Sequence, residues 1–127
     1  MATSKAGASV NVATVVTRAQ QLKALSDVLT AVRQKRFEID QSDVNLNDAQ
    51  RLELSRDYDV ARDAYYKGAA AFMDSTDSHV TDLLADIGNA AASLDAIQVS
   101  QDKAVQALGA IAALVGLVAK LVVLGTA

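Results

Sequence analysis

The chain has 127 residues and a formal net charge of −3, and its length suits one domain with a buried core. Apolar residues make up 51% of it and aromatic residues only 4%, so its apolar mass comes mainly from Ala, Val and Leu, which suits helices. The lack of proline argues against all-β and loop-rich folds. The lack of cysteine excludes disulfides and thiolate chemistry, and the acidic balance argues against nucleic acid as a partner.

The N-terminal part of the chain predicts a flexible arm followed by a long amphipathic helix. Residues 1–9 are mostly small and polar and lack the apolar core of a secretory signal. Between Val12 and Val32, apolar residues recur at steps of three and four, the spacing of one helix face. We therefore expect an arm over residues 1–9 and a first helix over residues 10–38.

A dense basic run, RQKR, occupies residues 33–36. We interpret it as a solvated face near a helix C-terminus, where the helix dipole favours cations. A contact with phosphate or anionic lipid is the alternative.

The segment from Ile39 to Gln50 concentrates Asp, Asn and Ser, which favour turns because their side chains bond to the local backbone. Asn47 is a good N-cap, and Gln50 occupies the capping-box position three residues later. A second helix is therefore predicted to begin near Asp48.

The segment MDSTDSH, residues 73–79, allows two interpretations. Its Asp and Ser residues favour a turn with a break near Ser75. Its apolar positions instead continue an a/d heptad register, which would give one long helix from about residue 48 to 100. Both alternatives predict an all-α fold, a helical hairpin or small bundle of three to four helices, with an amphipathic unit over residues 10–103. The helix-packing residues of this register are Met73, Val80, Leu83, Ile87, Leu94 and Ile97.

Charge is divided unevenly between these elements. The first helix is basic on balance, whereas residues 74–102 contain six aspartates and no lysine or arginine. Complementary charge on facing helices favours their pairing. Pairing of the first helix with the acidic stretch is therefore favoured, and the alternative is that both are simply solvated surfaces.

No catalytic constellation is evident. His79 is the single histidine, so one chain cannot assemble a His-based triad or a multi-histidine metal site. The carboxylates Asp57, Asp59 and Asp63 are interleaved with arginines, and we expect nothing nearby to raise a carboxyl pKa. We expect no enzyme activity, no cofactor, no metal site and no small-molecule substrate.

The C-terminal segment, residues 104–127, predicts a hydrophobic helix. From Ala104 to Gly125 its polar residues are Gln106 and Lys120. A helix of this length measures about 33 Å, enough to cross a bilayer core of about 30 Å. Lys120 lies near one end, where its side chain can reach the headgroups. The predicted membrane or assembly helix comprises Leu108, Gly109, Ile111, Ala112, Ala113, Leu114, Val115, Gly116, Leu117, Val118, Lys120 and Leu121.

Within this helix, small residues recur at a spacing that lets helices approach closely. Gly109 pairs with Ala113, and Ala112 pairs with Gly116, on adjacent faces. A helix that is apolar on every side must be covered on every side, and two amphipathic neighbours leave part of it exposed. The rest must be covered by a copy of the chain, another helical protein or lipid.

Two functions fit this pattern. In the first, the protein is membrane-active and self-associating, and its C-terminal helix inserts into or anchors at a bilayer. The combination of long amphipathic helices with a hydrophobic helix resembles the helical pore-forming toxins and secreted translocators. Such a protein would be membrane-associated, or secreted without a cleavable signal. In the second, it is a soluble homo-oligomer or filament subunit, and the C-terminal helix forms the core of the assembly.

Overall fold

The computed structural model describes residues 15–126, which form an all-α bundle, as predicted. Its α-helices are α1 (Arg18–Gln41), α2 (Asp48–Ala71), α3 (Ser78–Ala96) and α4 (Ala104–Gly125), with a 3-10 turn at Gln101–Lys103 before α4. The predicted arm and residues 10–14 of the predicted first helix lie outside the described residues.

The start of α1 lies later in the chain than the prediction placed it. The Thr17 hydroxyl accepts a hydrogen bond from the backbone N–H of Gln20 at 3.1 Å, and the Gln20 side chain accepts one from the Thr17 N–H at 2.8 Å. Thr17 is therefore the N-cap of α1, and the helix begins at Arg18. Val16, just before the cap, exchanges two 2.8 Å backbone hydrogen bonds with Ser75. The prediction of helix is therefore wrong for residues 15–17, where the chain is extended.

The predicted start of α2 is confirmed. The Asn47 side chain accepts a hydrogen bond from the Gln50 N–H at 2.8 Å, and the Gln50 side chain accepts one from the Asn47 N–H at 2.9 Å. These bonds satisfy two backbone donors at the helix end that have no partner within the helix.

The chain is not helical between Ala71 and Ser78. The alternative of one long helix over residues 48–100 is therefore wrong, and the predicted break near Ser75 is confirmed. Asp77 caps α3, with its carboxylate accepting a hydrogen bond from the His79 N–H at 2.9 Å. Phe72 turns into the core with 2% exposure, whereas Met73 is 75% exposed. Met73 is thus not a helix-packing residue, because the heptad register does not continue through the break.

The helices alternate in direction. Arg18, at the start of α1, donates a hydrogen bond to the carbonyl of Ala69 near the end of α2, so these helices are antiparallel. Lys35, near the end of α1, bonds to the carbonyl of Ile97 just after α3, so α1 and α3 are parallel. Helix α4 packs against all three others, while α2 and α3 lie on a diagonal without direct packing between these two described elements.

The core lies along the centre of this bundle, and all four helices supply apolar side chains to it. Its most deeply buried apolar residues are Leu25, Val28, Val32, Leu94, Ala107, Ile111, Leu114, Val118 and Leu121, all 0% exposed. Five of these nine come from α4, so α4 is a core helix of the folded chain.

The predicted pairing of basic α1 with acidic α3 is only partly realised. The two helices pack side by side. The ion pairs among residues 15–126, however, join near neighbours in sequence, as in Lys23–Asp27 at 2.7 Å and Lys35–Glu38 at 3.0 Å. Apolar packing and the Lys35–Ile97 hydrogen bond, rather than ion pairs, therefore hold α1 against α3.

Candidate interaction surface on helix α4

The side of α4 that faces the bundle carries six large apolar side chains. They are at most 5% exposed, and they comprise Leu108, Ile111, Leu114, Val115, Val118 and Leu121. These members of the predicted membrane or assembly helix are covered by α1, α2 and α3.

The opposite side of α4 is exposed and mostly apolar. We call it the outer stripe, and its residues recur at steps of three and four: Val105, Gly109, Ala113, Gly116, Lys120 and Val123. Val105 is 71% exposed and Val123 69%. A Cβ atom added at Gly109 or Gly116 would meet nothing within 4 Å. The remaining members of the predicted helix, Ala112 and Leu117, are half-buried.

The outer stripe differs in chemistry from the outward sides of the other helices. Exposed positions of α1, α2 and α3 carry many charged residues, such as Lys23, Arg62 and Asp86. Helix α4 has no charged residue between Lys103 and Lys120. Only 39% of its most apolar 18-residue window is buried. A nearly uncharged helix side is thus left open to solvent, whereas the exposed apolar side chains of α1 and α2, such as Phe37 and Leu52, lie among charged residues.

Two grooves flank the C-terminal half of the outer stripe. The groove between α3 and α4 has a volume of about 690 Å³ and is lined by His79, Asp82, Leu83, Asp86, Ala119, Lys120, Val123 and Leu124. The groove between α2 and α4 has a volume of about 230 Å³ and is lined by Val60, Asp63, Ala64, Lys67, Ala119, Val122 and Val123. Ala119 and Val123 line both grooves, so this half of α4 forms a ridge between them. The walls opposite α4 carry more carboxylates than cations.

The other predicted packing residues divide between the core and its edge. Val80, Ile87 and Leu94 are at most 2% exposed. Leu83 is half-buried and lines the α3–α4 groove, and Ile97 is half-buried just after α3. Three of the six residues of the predicted register are thus buried, two are half-buried, and Met73 is exposed.

The basic run at residues 33–36 lies near the C-terminal end of α1, as expected, but it is a solvated face only in part, since Arg33 and Gln34 are exposed and Lys35 is buried. Lys35 is 2% exposed. The Arg36 guanidinium lies 5.4 Å from the centre of the Tyr58 ring, and Arg33 donates a 3.3 Å hydrogen bond to the Tyr58 hydroxyl. The interpretation of this run is corrected accordingly, because three of its side chains contact other parts of the bundle.

The expectation for the carboxylates of α2 also needs correction. Partial burial, followed by the nearby negative charge of Glu53, raises the pKa of Asp57. The cap of α3 shows the opposite effect, since the hydrogen bond from the His79 N–H lowers the pKa of Asp77. Within residues 15–126, no group of three or more His, Cys, Asp or Glu side chains is placed to hold a metal ion.

Compared with known protein families, curated proteins and solved structures, the chain has no significant match. Its function must therefore be argued from its own surface.

Proposed function

We propose that this protein is a self-associating helical bundle without enzymatic activity, and that it binds a second copy of itself through the outer stripe of α4. The exposure of this apolar stripe is the observation that carries the proposal, because large exposed apolar surfaces on soluble proteins commonly mark interaction sites. A second copy supplies an apolar helix that would otherwise also be left exposed.

The size of the residues in the outer stripe favours a helix as the occupant. Gly109, Ala113 and Gly116 project little beyond the backbone, and such residues let two helices approach closely. Helices that lie on a lipid surface instead present large apolar side chains beside basic residues. Here the nearby groove walls carry Asp63, Asp82 and Asp86, which oppose binding to an anionic membrane surface.

Sedimentation velocity of the full chain over a range of concentrations tests the proposal. Gly116→Leu should weaken association at least tenfold, because its side chain would hold the second helix away. The folded monomer has open space at this position, so it should remain intact. Gly88→Leu on α3 is the matched control, since Gly88 is also exposed with nothing near its Cβ position, yet lies outside the outer stripe. A parent chain that stays monomeric, or equal effects of the two variants, would refute the proposal.

A second candidate function is insertion of α4 into a bilayer. The segment from Gln101 to Gly125 is 25 residues long, and it is long and apolar enough to cross a membrane. Insertion would require α4 to leave the bundle, so that lipid replaces α1, α2 and α3 around its large side chains. This candidate would make the protein membrane-active, as in the helical pore-forming and translocator proteins that its pattern resembles.

A further inference from the structure

We infer that two copies pair their α4 helices in antiparallel orientation, with Asp102 of each copy opposite Lys120 of the other. This inference rests on the proposed self-association through the outer stripe and adds its geometry. The occupant of the stripe is thus the same stripe of a second molecule.

The positions of two charges carry the inference. Asp102 and Lys120 are both exposed; Asp102 lies in the turn just before the outer stripe, and Lys120 lies near the C-terminal end of the stripe. Asp102 belongs to the 3-10 turn that leads into α4, two residues before the helix begins, and Lys120 lies sixteen positions after that beginning. At about 120° per residue in the 3-10 turn and about 100° in the α-helix, the two side chains lie within roughly 40° of the same side of the helix axis. Within residues 15–126 neither forms an ion pair. Lys103, in the same 3-10 turn, lies about 120° further round the axis from Asp102.

Only the antiparallel orientation makes these charges complementary. Two parallel helices in register would place Asp102 against Asp102 and Lys120 against Lys120 of the second copy. Two antiparallel helices place an aspartate against a lysine at both ends, and opposed helix dipoles add to the preference. Like charges placed opposite each other suppress the wrong arrangement, so the two residues select orientation as well as partner.

The same pairing also fixes the register. If Asp102 of each copy lies beside Lys120 of the other, the centre of the contact between the two α4 helices falls at the level of Ile111. Gly109 then lies opposite Ala113 of the second copy, and Gln106 opposite Gly116. Gly109 and Ala113 of the two copies thus meet near the centre, where the helices approach most closely.

Charge reversal tests the orientation. Asp102→Lys and Lys120→Glu should each weaken association about tenfold, because each places like charges at both ends of the symmetric contact. The double variant should restore the affinity to within about twofold of the parent. A double variant as weak as the single ones would overturn the antiparallel pairing.

Cysteine cross-linking tests the register, and the chain has no cysteine of its own to interfere. A mixture of Gln106→Cys and Gly116→Cys chains should form a disulfide-linked heterodimer on oxidation. Neither variant alone should cross-link efficiently, because its two cysteines would lie ten residues or about 15 Å apart along the helices, too far for a disulfide.

The outcomes separate the geometry from the self-association itself. Efficient cross-linking of Gly116→Cys chains alone would indicate parallel helices and overturn the inference. Dimers in sedimentation without the heterodimer cross-link would also overturn it, while leaving the proposed function standing. A parent chain that remains monomeric at all concentrations would refute both.

Discussion

The ammonium group of Lys35 donates a 2.7 Å hydrogen bond to the main-chain carbonyl of Ile97 and so joins the C-terminal ends of α1 and α3. The same group lies 3.0 Å from the carboxylate of Glu38. Carbonyls at a helix C-terminus lack partners within the helix and carry partial negative charge, which a cation stabilises. The hydrogen bond gives the buried ammonium group of Lys35 a partner, and it also links α1 to α3, which are distant in sequence.

Replacing Lys35 with methionine should lower the free energy of unfolding by about 1–3 kcal/mol, because the Ile97 carbonyl would lose its partner at a buried site. Urea unfolding of the full chain measures the change. Lys23→Met is the control on the same helix, since Lys23 forms an exposed pair with Asp27 and should change stability little. Equal losses in the two variants would mean that burial of Lys35 contributes nothing.

Two glycines that look alike in sequence should respond in opposite directions to alanine. A Cβ atom at Gly68 would lie 2.8 Å from a terminal carbon of Leu25 and 2.8 Å from the Phe72 ring, both in the core. We expect Gly68→Ala to lower the free energy of unfolding by about 1–3 kcal/mol through overpacking.

Gly88→Ala should instead raise the free energy of unfolding by about 0.5–1 kcal/mol, because Gly88 has open space at its Cβ position and alanine favours the helix. Thermal or urea unfolding of the two variants in one buffer makes the comparison. A stabilised Gly68→Ala variant would show that Phe72 can move aside at no loss.

The pKa of Asp57 predicts a pH-dependent effect. Burial, and secondly Glu53, raise this pKa, so the folded state holds the proton more tightly than the unfolded state does. Ionisation of Asp57 therefore reduces stability as the pH rises from the ordinary aspartate range through the raised value.

Asp57→Asn should consequently be more stable than the parent at neutral pH, and the difference should shrink as the pH falls below the ordinary aspartate pKa. Urea unfolding at several pH values measures it. Asp59→Asn is the control, because Asp59 is exposed and lies 3.3 Å from Arg62, so its removal should bring no gain. A constant difference between Asp57→Asn and the parent at all pH values would rule out titration as the cause.

The parts of the fold that depend on local sequence could be predicted. The capping pair Asn47 and Gln50 marks the start of α2, since both partners lie within one helical turn. Thr17 and Gln20 form the same motif, which the longer apolar periodicity obscured. At residues 72–77, polar residues that cap and turn outweigh a continuous heptad pattern, so Met73 leaves the register.

The parts that depend on tertiary pairing could not be predicted. Lys35 becomes buried only because α1 and α3 end at the same level of the bundle, which no local pattern encodes. Residue size predicts the division of α4 only in part: Gly109 and Gly116 are exposed and Leu114 is buried, but Ala107 is buried and Val105 is exposed. Apolar character alone gave no such division, so the exposed and buried sides were not distinguished.

Insertion of α4 into lipid predicts that a charge at the middle of the helix blocks membrane binding. Ala113 is exposed in the bundle, so Ala113→Lys should remain folded. In a bilayer the same lysine would lie near the centre, where it costs about 2.5–3.5 kcal/mol, or about a hundredfold in partitioning. Flotation of the full chain with zwitterionic vesicles measures the effect.

Gly88→Lys is the matched control for this prediction, because it adds the same charge at an exposed position of α3 that would stay outside the bilayer. Insertion requires that the parent chain and Gly88→Lys float while Ala113→Lys stays in solution. If all three float equally, the protein binds vesicles without inserting α4. If none floats while the parent self-associates, the outer stripe contacts protein rather than lipid. Since Ala113 belongs to the outer stripe, a loss of self-association together with unchanged flotation would separate the two candidate functions in one variant.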